Sequence, residues 1–386
     1  MKNIFLKTEL PLAGNFLSKD EIGTDNSYPF SLSFDDESLL VEVIEKIDPN
    51  IIFKNYFYKT GAIKTLSNHL KDTAKIIKNR DEVLKICDIG CNDFTFLKEF
   101  TDSSETVLGI DPSDVSKNFK PDNIELVNDF FNYDQSEKIK QKYGEFDIIF
   151  SSNNFAHINE IDDYVSGVAN LIKDDGEIVI EVHWLKTLIK NFQIGFLYHE
   201  HVYYYSLKAL NNLLSKSGVY VNSVDKIDIH GGSIRVFCSK QNHQDESVEN
   251  MFKEEGDFGL YSLDVFEKFS QKIKKLKKET RNFFESTKNK GIEVYGYGAS
   301  GQANTLMTLM GINSEDLEYI IDDSPLKSEK FTPNNYIQIR NGNFFVDNPP
   351  DVVYIMAYTF EKEIKQNNKW FKGEWVHPFN LYNASE

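Results

Sequence analysis

The residues best suited to proton transfer stand together near the middle of the chain. Residues 197–205 read Leu-Tyr-His-Glu-His-Val-Tyr-Tyr-Tyr, so that Tyr198, His199, Glu200 and His201 follow one another directly. An imidazole titrates near neutral pH, and an adjacent carboxylate or phenol can orient it and share its hydrogen bonds. A lone histidine is more often a surface or core residue, but four such side chains in succession favour a catalytic segment.

Composition limits the kinds of protein to which this segment can belong. The chain has 386 residues, 40% hydrophobic and 27% charged, which is typical of a soluble globular protein with two or three domains. Its net charge of -17 opposes nucleic-acid binding. Three cysteines suit a reducing compartment, and we find neither a membrane-spanning apolar run nor a signal peptide. We therefore expect a cytoplasmic protein without a nucleic-acid or membrane partner.

Hydrophobic periodicity divides the chain into three parts. Residues 1–62 show little periodicity and many turn residues, which predicts a small, loop-rich lobe. In residues 63–242 a helix at about 63–80 precedes strands that alternate with helix-length segments, which predicts an α/β domain with a doubly wound parallel sheet. In residues 243–386 a long Lys-rich helix ending near Gly291 precedes a second such alternation. The predicted strands are 83–90, 106–111, 146–150, 176–181, 219–224, 232–237, 292–298, 317–321 and 352–356.

The first turn of the middle part favours one class of ligand. It reads Asp88-Ile-Gly-Cys-Asn-Asp, with the single glycine Gly90 where a dinucleotide-binding turn has three. Asp111 ends the next predicted strand 21 residues after Gly90, where an acid accepts hydrogen bonds from ribose hydroxyls. Because a single glycine suffices when no pyrophosphate approaches the helix, we predict S-adenosylmethionine as the cofactor. Further candidates lie on this turn and after the third and fourth strands: Asn92, Asp129, Phe130, Asn153, Asn154 and His157.

The last part of the chain carries a fuller nucleotide-binding pattern. Residues 296–301 read Gly-Tyr-Gly-Ala-Ser-Gly between a predicted strand and a predicted helix, and Asp322 follows Gly301 by 21 residues. The physical basis of this fingerprint is a set of backbone amides facing a pyrophosphate, which a nucleotide-linked sugar also carries. A nicotinamide dinucleotide and a nucleotide sugar are therefore both compatible with it.

Several segments, taken in order, resemble one known family. The chain resembles over nearly its whole length the bacterial S-adenosylmethionine-dependent C-methyltransferases that act on deoxysugar nucleotides. This resemblance implies a class I methyltransferase domain, a second Rossmann-like domain that helps to hold the nucleotide sugar, and a small N-terminal lobe. The segments that carry it are 11–17 (Pro-Leu-Ala-Gly-Asn-Phe-Leu), 55–61 (Asn-Tyr-Phe-Tyr-Lys-Thr-Gly), 88–93, 198–201 (Tyr-His-Glu-His), 230–235 (His-Gly-Gly-Ser-Ile-Arg), 297–301 and 322–327 (Asp-Asp-Ser-Pro-Leu-Lys).

The resemblance also implies catalytic roles. His201 would remove the proton next to a 4-keto group, and Tyr198 and Glu200 would orient it or polarise the substrate. Tyr58, or else Tyr56, would close over the sugar ring. A ketone makes its neighbouring carbon acidic enough for a histidine, and the enolate needs a donor beside its oxygen, so the route requires no metal.

Substrate contacts are expected around this centre. His230, Ser233 and Arg235 either contact the sugar or phosphate or only form a turn into an edge strand. The remaining expected contacts are His199, Tyr297, Gly298, Ser300, Asp322 and Lys327.

Two departures from the family pattern stand out. Members usually have an N-terminal zinc site built from Cys-x-x-Cys pairs, whereas residues 35–38 here read Asp-Asp-Glu-Ser, so we predict no structural zinc. Phe94 stands where the family has a glycine in the donor turn, and we expect it to reshape the donor pocket. In place of zinc, we expect apolar side chains to hold the lobe: Phe5, Leu10, Phe16, Phe30 and Phe34.

These observations predict a C-methyltransferase acting on a nucleotide-linked deoxy-keto-sugar. Three alternatives remain open at this point. An O-methyltransferase could use His201 to deprotonate a hydroxyl, a nicotinamide-dependent oxidoreductase could use residues 296–301, and a binding protein without activity would fit the missing cysteine pairs.

Overall fold

The computed structural model describes residues 1–53, 59–79 and 85–383. Within these residues the strands form three sheets. No helix in the described ranges is both long and apolar enough to cross a bilayer. The strands, in chain order, are β1 (Lys2–Pro11), β2 (Ser27–Asp35), β3 (Val41–Val43), β4 (Lys85–Ile89), β5 (Thr106–Ile110), β6 (Glu125–Val127), β7 (Phe146–Ser152), β8 (Ile172–His183), β9 (Tyr203–Tyr204), β10 (Tyr220–Ile227), β11 (Ser233–Ser239), β12 (Val294–Tyr297), β13 (Tyr319–Ile321), β14 (Gln338–Arg340), β15 (Val352–Ile355) and β16 (Glu374–Val376).

Most helices begin and end at residues whose chemistry favours a boundary. The side chains of Ser113, Asn132 and Ser206 each accept a hydrogen bond from an amide in the first turn that follows. The long Lys-rich helix ends at Gly291 with φ of 65°, as predicted. The helices, in chain order, are α1 (Pro49–Phe53), α2 (Lys64–Lys78), α3 (Asp114–Phe119), α4 (Tyr133–Tyr143), α5 (Ile161–Leu171), α6 (Leu185–Lys190), α7 (Leu207–Ser215), α8 (Glu246–Phe258), α9 (Leu263–Lys290), α10 (Gly301–Met310), α11 (Gly342–Asp347), α12 (Glu361–Asn367) and α13 (Asn380–Asn383).

The middle sheet positions the predicted donor pocket. Its strand order is β10-β11-β8-β7-β4-β5-β6. Strands β4 to β8 run parallel, and β11 is antiparallel to both of its neighbours. The predicted doubly wound sheet is confirmed, and the carboxyl ends of β4 to β8 meet at one edge, where such sheets bind ligands.

The N-terminal lobe is more regular than predicted. Strands β1 and β2 form a long antiparallel hairpin, with Lys2 opposite Asp35 and Pro11 opposite Ser27. The expectation of a loop-rich lobe is therefore wrong. Alternating Phe30, Leu32 and Phe34 were the strand signal, but the Pro and Gly residues around them favoured loops.

The lobe and the C-terminal domain share one apolar core. Phe34 and Phe5 of the lobe lie 4.9 and 5.2 Å from Phe266 of α9, measured between ring centroids. The core continues from α9 into α6 and α10. The apolar anchors predicted for the lobe all belong to this core or pack against it, which confirms that prediction.

The C-terminal sheet repeats the Rossmann-like pattern. Its order is β14-β13-β12-β15-β16, and every neighbouring pair is parallel. Helix α8, which follows the predicted boundary at 242, packs on the middle domain instead. The carboxylate of Glu255 in α8 accepts hydrogen bonds from the Trp184 indole (2.7 Å) and the Leu207 amide (2.6 Å).

Candidate active site

The predicted catalytic segment links two sheets. Strand β9 pairs with β3 of the lobe, with Tyr204 opposite Val41. Tyr205 forms a parallel bridge to Trp184, which directly follows β8. Residues 198–205 are therefore held from both sides at the carboxyl edge of the middle sheet.

The hydrogen bonds of His201 fix its tautomer. Its Nδ1 lies 3.1 Å from the carbonyl of Phe196, which can only accept, so Nδ1 carries the hydrogen. Burial lowers the pKa of His201 well below its usual value, and the neighbouring His157 and His183 lower it further. The neutral ring keeps its lone pair on Nε2, which accepts the Tyr198 hydroxyl hydrogen at 3.1 Å. This is the protonation state that a general base requires.

Glu200 directly precedes this candidate base in the chain, and His157 lies beside its ring. Burial raises the pKa of Glu200 to about 7. Its Oε2 is buried and has no hydrogen-bond partner among the described residues. His157 donates from Nδ1 to the Glu200 carbonyl (2.6 Å), and its ring lies 5.1 Å from that of His201. His157 therefore joins the end of β7 to the catalytic segment.

Three other residues were predicted for this region: His199, Tyr56 and Tyr58. His199 is buried, with its Nε2 donating to the Pro29 carbonyl (3.0 Å) and its ring edge-on to Phe30 (5.2 Å). It fixes the segment to β2, so the structure gives no support to the expected substrate contact. Tyr56 and Tyr58 lie outside the described residues.

The donor turn brings acidic side chains together at the ends of β4 and β5. Asp111 accepts hydrogen bonds from the amides of Asn92 (3.0 Å) and Ser113 (2.8 Å). Burial raises the pKa of Asp88 well above its usual value, and the carboxyl groups of Asp111 and Glu181 raise it further. The Oδ1 of Asp88 is buried without a hydrogen-bond partner within the described ranges.

The other predicted donor residues line the same edge. Gly90 has φ of 91°, which favours glycine, and a Cβ atom there would lie 3.0 Å from Asn154. Asn153, beside it after β7, has φ of 53°. Asp129 and Phe130 are exposed after β6. The turn, the acid predicted to bind ribose and a surface aromatic ring thus follow one another along the sheet edge.

These groups fit a methionine-linked adenosine. A cationic amino group would satisfy the orphaned oxygen of Asp88, since buried polar atoms normally have partners. Both oxygens of Asp111 already accept hydrogen bonds, but a carboxylate has further acceptor positions for ribose hydroxyls. The exposed face of Phe130 suits a flat base.

Phe94 does not enter this pocket. Its backbone takes the left-handed conformation, with φ of 63°, that a glycine adopts readily. The ring is fully buried in the core with Phe96 and Phe100. A Cβ atom on Gly109 would lie 2.7 Å from this ring, so Gly109 makes room for it. The expectation that Phe94 reshapes the donor pocket is wrong, because the ring faces the core behind the turn.

Arg235 belongs to a buried ionic network. Its Nε donates to Glu181 at 2.8 Å, and a second nitrogen donates to Thr73 at 2.5 Å. Glu181 also binds His69 of α2 (2.9 Å) and the hydroxyl of Ser152 (2.8 Å). Arg235 is only 4% exposed, so its visible role is to pair the charge of Glu181.

The neighbouring candidates Ser233 and His230 differ in their surroundings. Ser233 is buried, and its hydroxyl donates to the Ile229 carbonyl (2.9 Å), which closes the turn before β11. His230 has φ of 54° and lies close enough to His183 and His201 to lower the pKa of each. Of the pair, only His230 therefore lies with the active-site histidines.

Internal contacts hold the nucleotide-like turn of the C-terminal domain. The amide of Ala299 donates to Asp322 (2.8 Å). Lys327 donates to the Ala299 carbonyl and pairs with Asp322 (3.2 Å). The hydroxyl of Tyr297 lies 3.3 Å from Asp323. The polar groups predicted to bind the nucleotide thus bind one another.

The N-terminal lobe covers this turn. Gly298 adopts φ of 94°, and Ser300 caps the first turn of α10. A Cβ atom on Gly301 would lie 3.2 Å from the Cβ of Ala13. Asn304 donates to the Ala13 carbonyl at 2.7 Å. The lobe therefore lies where a pyrophosphate would approach the helix.

Comparisons with known proteins agree with this architecture. Residues 60–224 match a family model described as a methyltransferase domain, and residues 228–379 match one described as the C-methyltransferase C-terminal domain. The chain belongs to the S-adenosylmethionine-dependent C-methyltransferases. This assignment confirms the predicted cofactor and the class I methyltransferase fold with a second Rossmann-like domain.

The individual proteins that resemble this C-methyltransferase share less than a third of its sequence. It is 27% identical over 369 residues to C-methyltransferase NovU of Streptomyces niveus. The match covers 94% of this chain and 88% of NovU. A Synechocystis magnesium protoporphyrin IX methyltransferase with bound SAH is 13% identical, and the match covers 45% of the chain and 82% of that structure (TM-score 0.35). A TehB-like methyltransferase from Corynebacterium glutamicum is 14% identical over 45% of the chain and 88% of its own (TM-score 0.33).

Sequence reasoning missed two polar residues beside the candidate site. Glu181 and His183 lie at the carboxyl end of β8, and Gln193 bonds His183 (2.8 Å). Polar residues where a parallel strand ends were the available signal. The same signal is present at the end of β8, where Glu181 and His183 stand.

Proposed function

We propose that this C-methyltransferase methylates the carbon next to the keto group of a nucleotide-linked deoxy-keto-sugar, with His201 as the general base. The observation that carries the proposal is the tautomer of His201, whose Nε2 lone pair and Tyr198 partner lie at the edge that also holds the donor pocket. The likeness to C-methyltransferase NovU supports transfer to carbon.

The proposed reaction uses both members of this pair. S-adenosylmethionine supplies an electrophilic methyl group when it is bound. The Nε2 of His201 takes the proton from the carbon next to the ketone, and the electron pair of the broken C–H bond moves into an enolate. The hydroxyl of Tyr198 turns from His201 to the keto oxygen and stabilises the charge that develops there. We assign to Glu200, whose pKa is raised to about 7 by burial, the sharing of the proton gained by the imidazole, as the family resemblance implies.

A substrate screen tests the activity. The protein is incubated with methyl-labelled S-adenosylmethionine and a panel of nucleotide-linked keto-sugars, and the products are analysed by carbon and proton NMR. We expect a methyl signal coupled to a ring carbon. A methyl signal at an ether shift would establish O-methylation instead, and donor binding without transfer to any sugar would favour a binding protein.

Proton exchange tests the role of His201 separately from methyl transfer. Without the methyl donor, the wild-type protein should exchange the proton next to the ketone for deuterium from D2O. His201→Asn should lose this exchange and all turnover while it still binds S-adenosylmethionine by calorimetry. His243→Asn, at an exposed histidine, is the matched control. An active His201→Asn variant would refute the base assignment.

A further inference from the structure

We propose that His183 is a second imidazole of the substrate pocket, whose Nδ1 accepts a hydrogen bond from a hydroxyl group of the sugar. This inference rests on the proposed function, because it assigns a contact to the sugar ring. His183 ends β8 two residues after Glu181, at the sheet edge where donor and substrate must meet.

Gln193 fixes the orientation of this ring. The amide nitrogen of Gln193 donates to the Gly231 carbonyl (3.0 Å), so its oxygen must face His183. The Nε2 of His183 lies 2.8 Å from that oxygen and therefore carries the hydrogen. A Cβ atom on Gly231 would lie 2.1 Å from the Gln193 amide, so only glycine leaves space for this arrangement. The lone pair of His183 is consequently on Nδ1.

The Nδ1 atom is an acceptor without a partner. Among the described residues no hydrogen bond reaches it, and the His183 residue is half-buried, whereas His199 is buried. Burial lowers the pKa of His183 to about 4, which keeps the ring neutral. A neutral acceptor without a protein partner, on a half-buried residue at the edge where such sheets bind ligands, is suited to a hydroxyl donor.

His183 and His201 both contact Phe196. The His183 ring lies 4.5 Å from the Phe196 ring, and the Phe196 carbonyl accepts the Nδ1 hydrogen of His201. The two imidazoles therefore lie close together, and His183 lowers the pKa of His201. Among the described residues a phenol partner that can serve an enolate is recorded for His201 and not for His183. A ketone has no hydrogen to donate, so the acceptor on His183 must recognise a hydroxyl.

Two amide variants distinguish this role from a structural one. In His183→Asn the side-chain oxygen can replace Nδ1, whereas in His183→Gln the amide replaces Nε2 and reaches Gln193. If His183 binds the sugar, we expect His183→Gln to raise the KM for the sugar by about tenfold or more and His183→Asn by about threefold or less. If His183 only supports Gln193, the order of the two variants is reversed.

The keto-sugar screen begins with thymidine-diphosphate-linked 4-keto-6-deoxyglucose as the probe. The variants are then measured with the sugar for which the wild-type protein has the largest kcat/KM. S-adenosylmethionine affinity confirms that each variant is folded, and His243→Gln is the surface control. Gln193→Leu, which frees the ring to turn, provides a second variant and should also raise the KM for the sugar. A wild-type KM in His183→Gln, or the reversed order, overturns the inference while the methyl transfer stands. A wild-type protein that neither exchanges nor methylates any probe overturns the proposed function and this inference with it.

Discussion

Asn304 of α10 donates a 2.7 Å hydrogen bond to the carbonyl of Ala13, a residue 291 positions earlier in the chain. The Asn304 side chain is fully buried, and within the described residues its own oxygen has no partner. This contact fastens the N-terminal lobe to the C-terminal domain at the first turns of α10. It lies beside the apolar core that the two units share.

Removing the Asn304 side chain should loosen the lobe. Asn304→Ala leaves the Ala13 carbonyl buried without its donor, and we expect a loss of about 1–3 kcal/mol in the free energy of unfolding, measured by urea denaturation. Asn282→Ala, at an exposed position of α9, is the control. Equal stability of the two variants would contradict an anchoring role for Asn304.

The covered turn also makes a prediction about ligands. Ala13 lies against Gly301, and Lys327 donates to the Ala299 carbonyl and pairs with Asp322. Because these contacts take the place of a pyrophosphate, we expect no binding of NADH. The measurement is the fluorescence of the reduced nicotinamide ring during titration with protein. Saturable enhancement in the wild-type protein would show that the lobe moves aside.

Much of this architecture could be predicted from sequence periodicity. Strands β4, β5 and β7 begin and end within a few residues of their predicted bounds, because buried parallel strands are continuous apolar runs. The candidate catalytic segment was predicted from residue type alone and stays a prediction. Its placement was not, because β9 is only two residues long and pairs with β3, more than 150 positions away in the chain.

The C-terminal turn shows why spacing alone misleads. Residues 296–301 have the strand, turn and helix of a nucleotide site, and these local elements are present. What covers the turn is a contact with Ala13, which no local pattern encodes. Nucleotide contacts at Gly298, Ser300, Asp322 and Lys327 accordingly stay predictions.

The buried network at Arg235 predicts a large effect on stability. Arg235→Met removes the arginine that pairs with Glu181, a carboxylate that is only 1% exposed. Because removing one partner of a buried pair leaves a buried charge, we expect the free energy of unfolding to fall by about 3–5 kcal/mol. The double variant Arg235→Met with Glu181→Gln should recover part of this loss, since no unpaired charge remains. Lys288→Met, at the exposed pair with Glu315, should change the free energy of unfolding by less than about 1 kcal/mol. A small effect of Arg235→Met would instead favour a role in substrate contact.

His199 predicts a specific dependence of stability on pH. Burial lowers the pKa of His199 in the folded protein, so as pH falls below about 6.5 the unfolded chain takes up a proton first. The contribution of His199 to stability is therefore present above this pH and lost in acid. His199→Gln keeps a donor for the Pro29 carbonyl but cannot titrate. Relative to wild type, the variant should gain free energy of unfolding as the pH is lowered from about 7.5 to 5.5; a difference independent of pH would contradict this.

The pair formed by Tyr198 and His201 makes two predictions, of which the first concerns rate. Tyr198→Phe removes the donor proposed for the enolate oxygen, and we expect kcat to fall by about 100-fold to 1000-fold. Donor affinity should not change, because Tyr198 lies on the catalytic segment and not on the donor turn. A loss of donor affinity in Tyr198→Phe would show that the segment shapes the donor pocket.

The pH dependence of kcat/KM tests the base in the same pair. The base must be neutral, and burial together with His157 and His183 lowers the pKa of His201 well below its usual value. The rate should therefore hold down to pH values below about 6.5, the ordinary pKa of histidine, and fall only in more acidic solution. Replacing His157 with Phe removes one neighbouring imidazole and should move the acidic limb toward higher pH. An acidic limb of the wild-type protein centred at or above about 6.5 would mean that the essential base is not the buried His201.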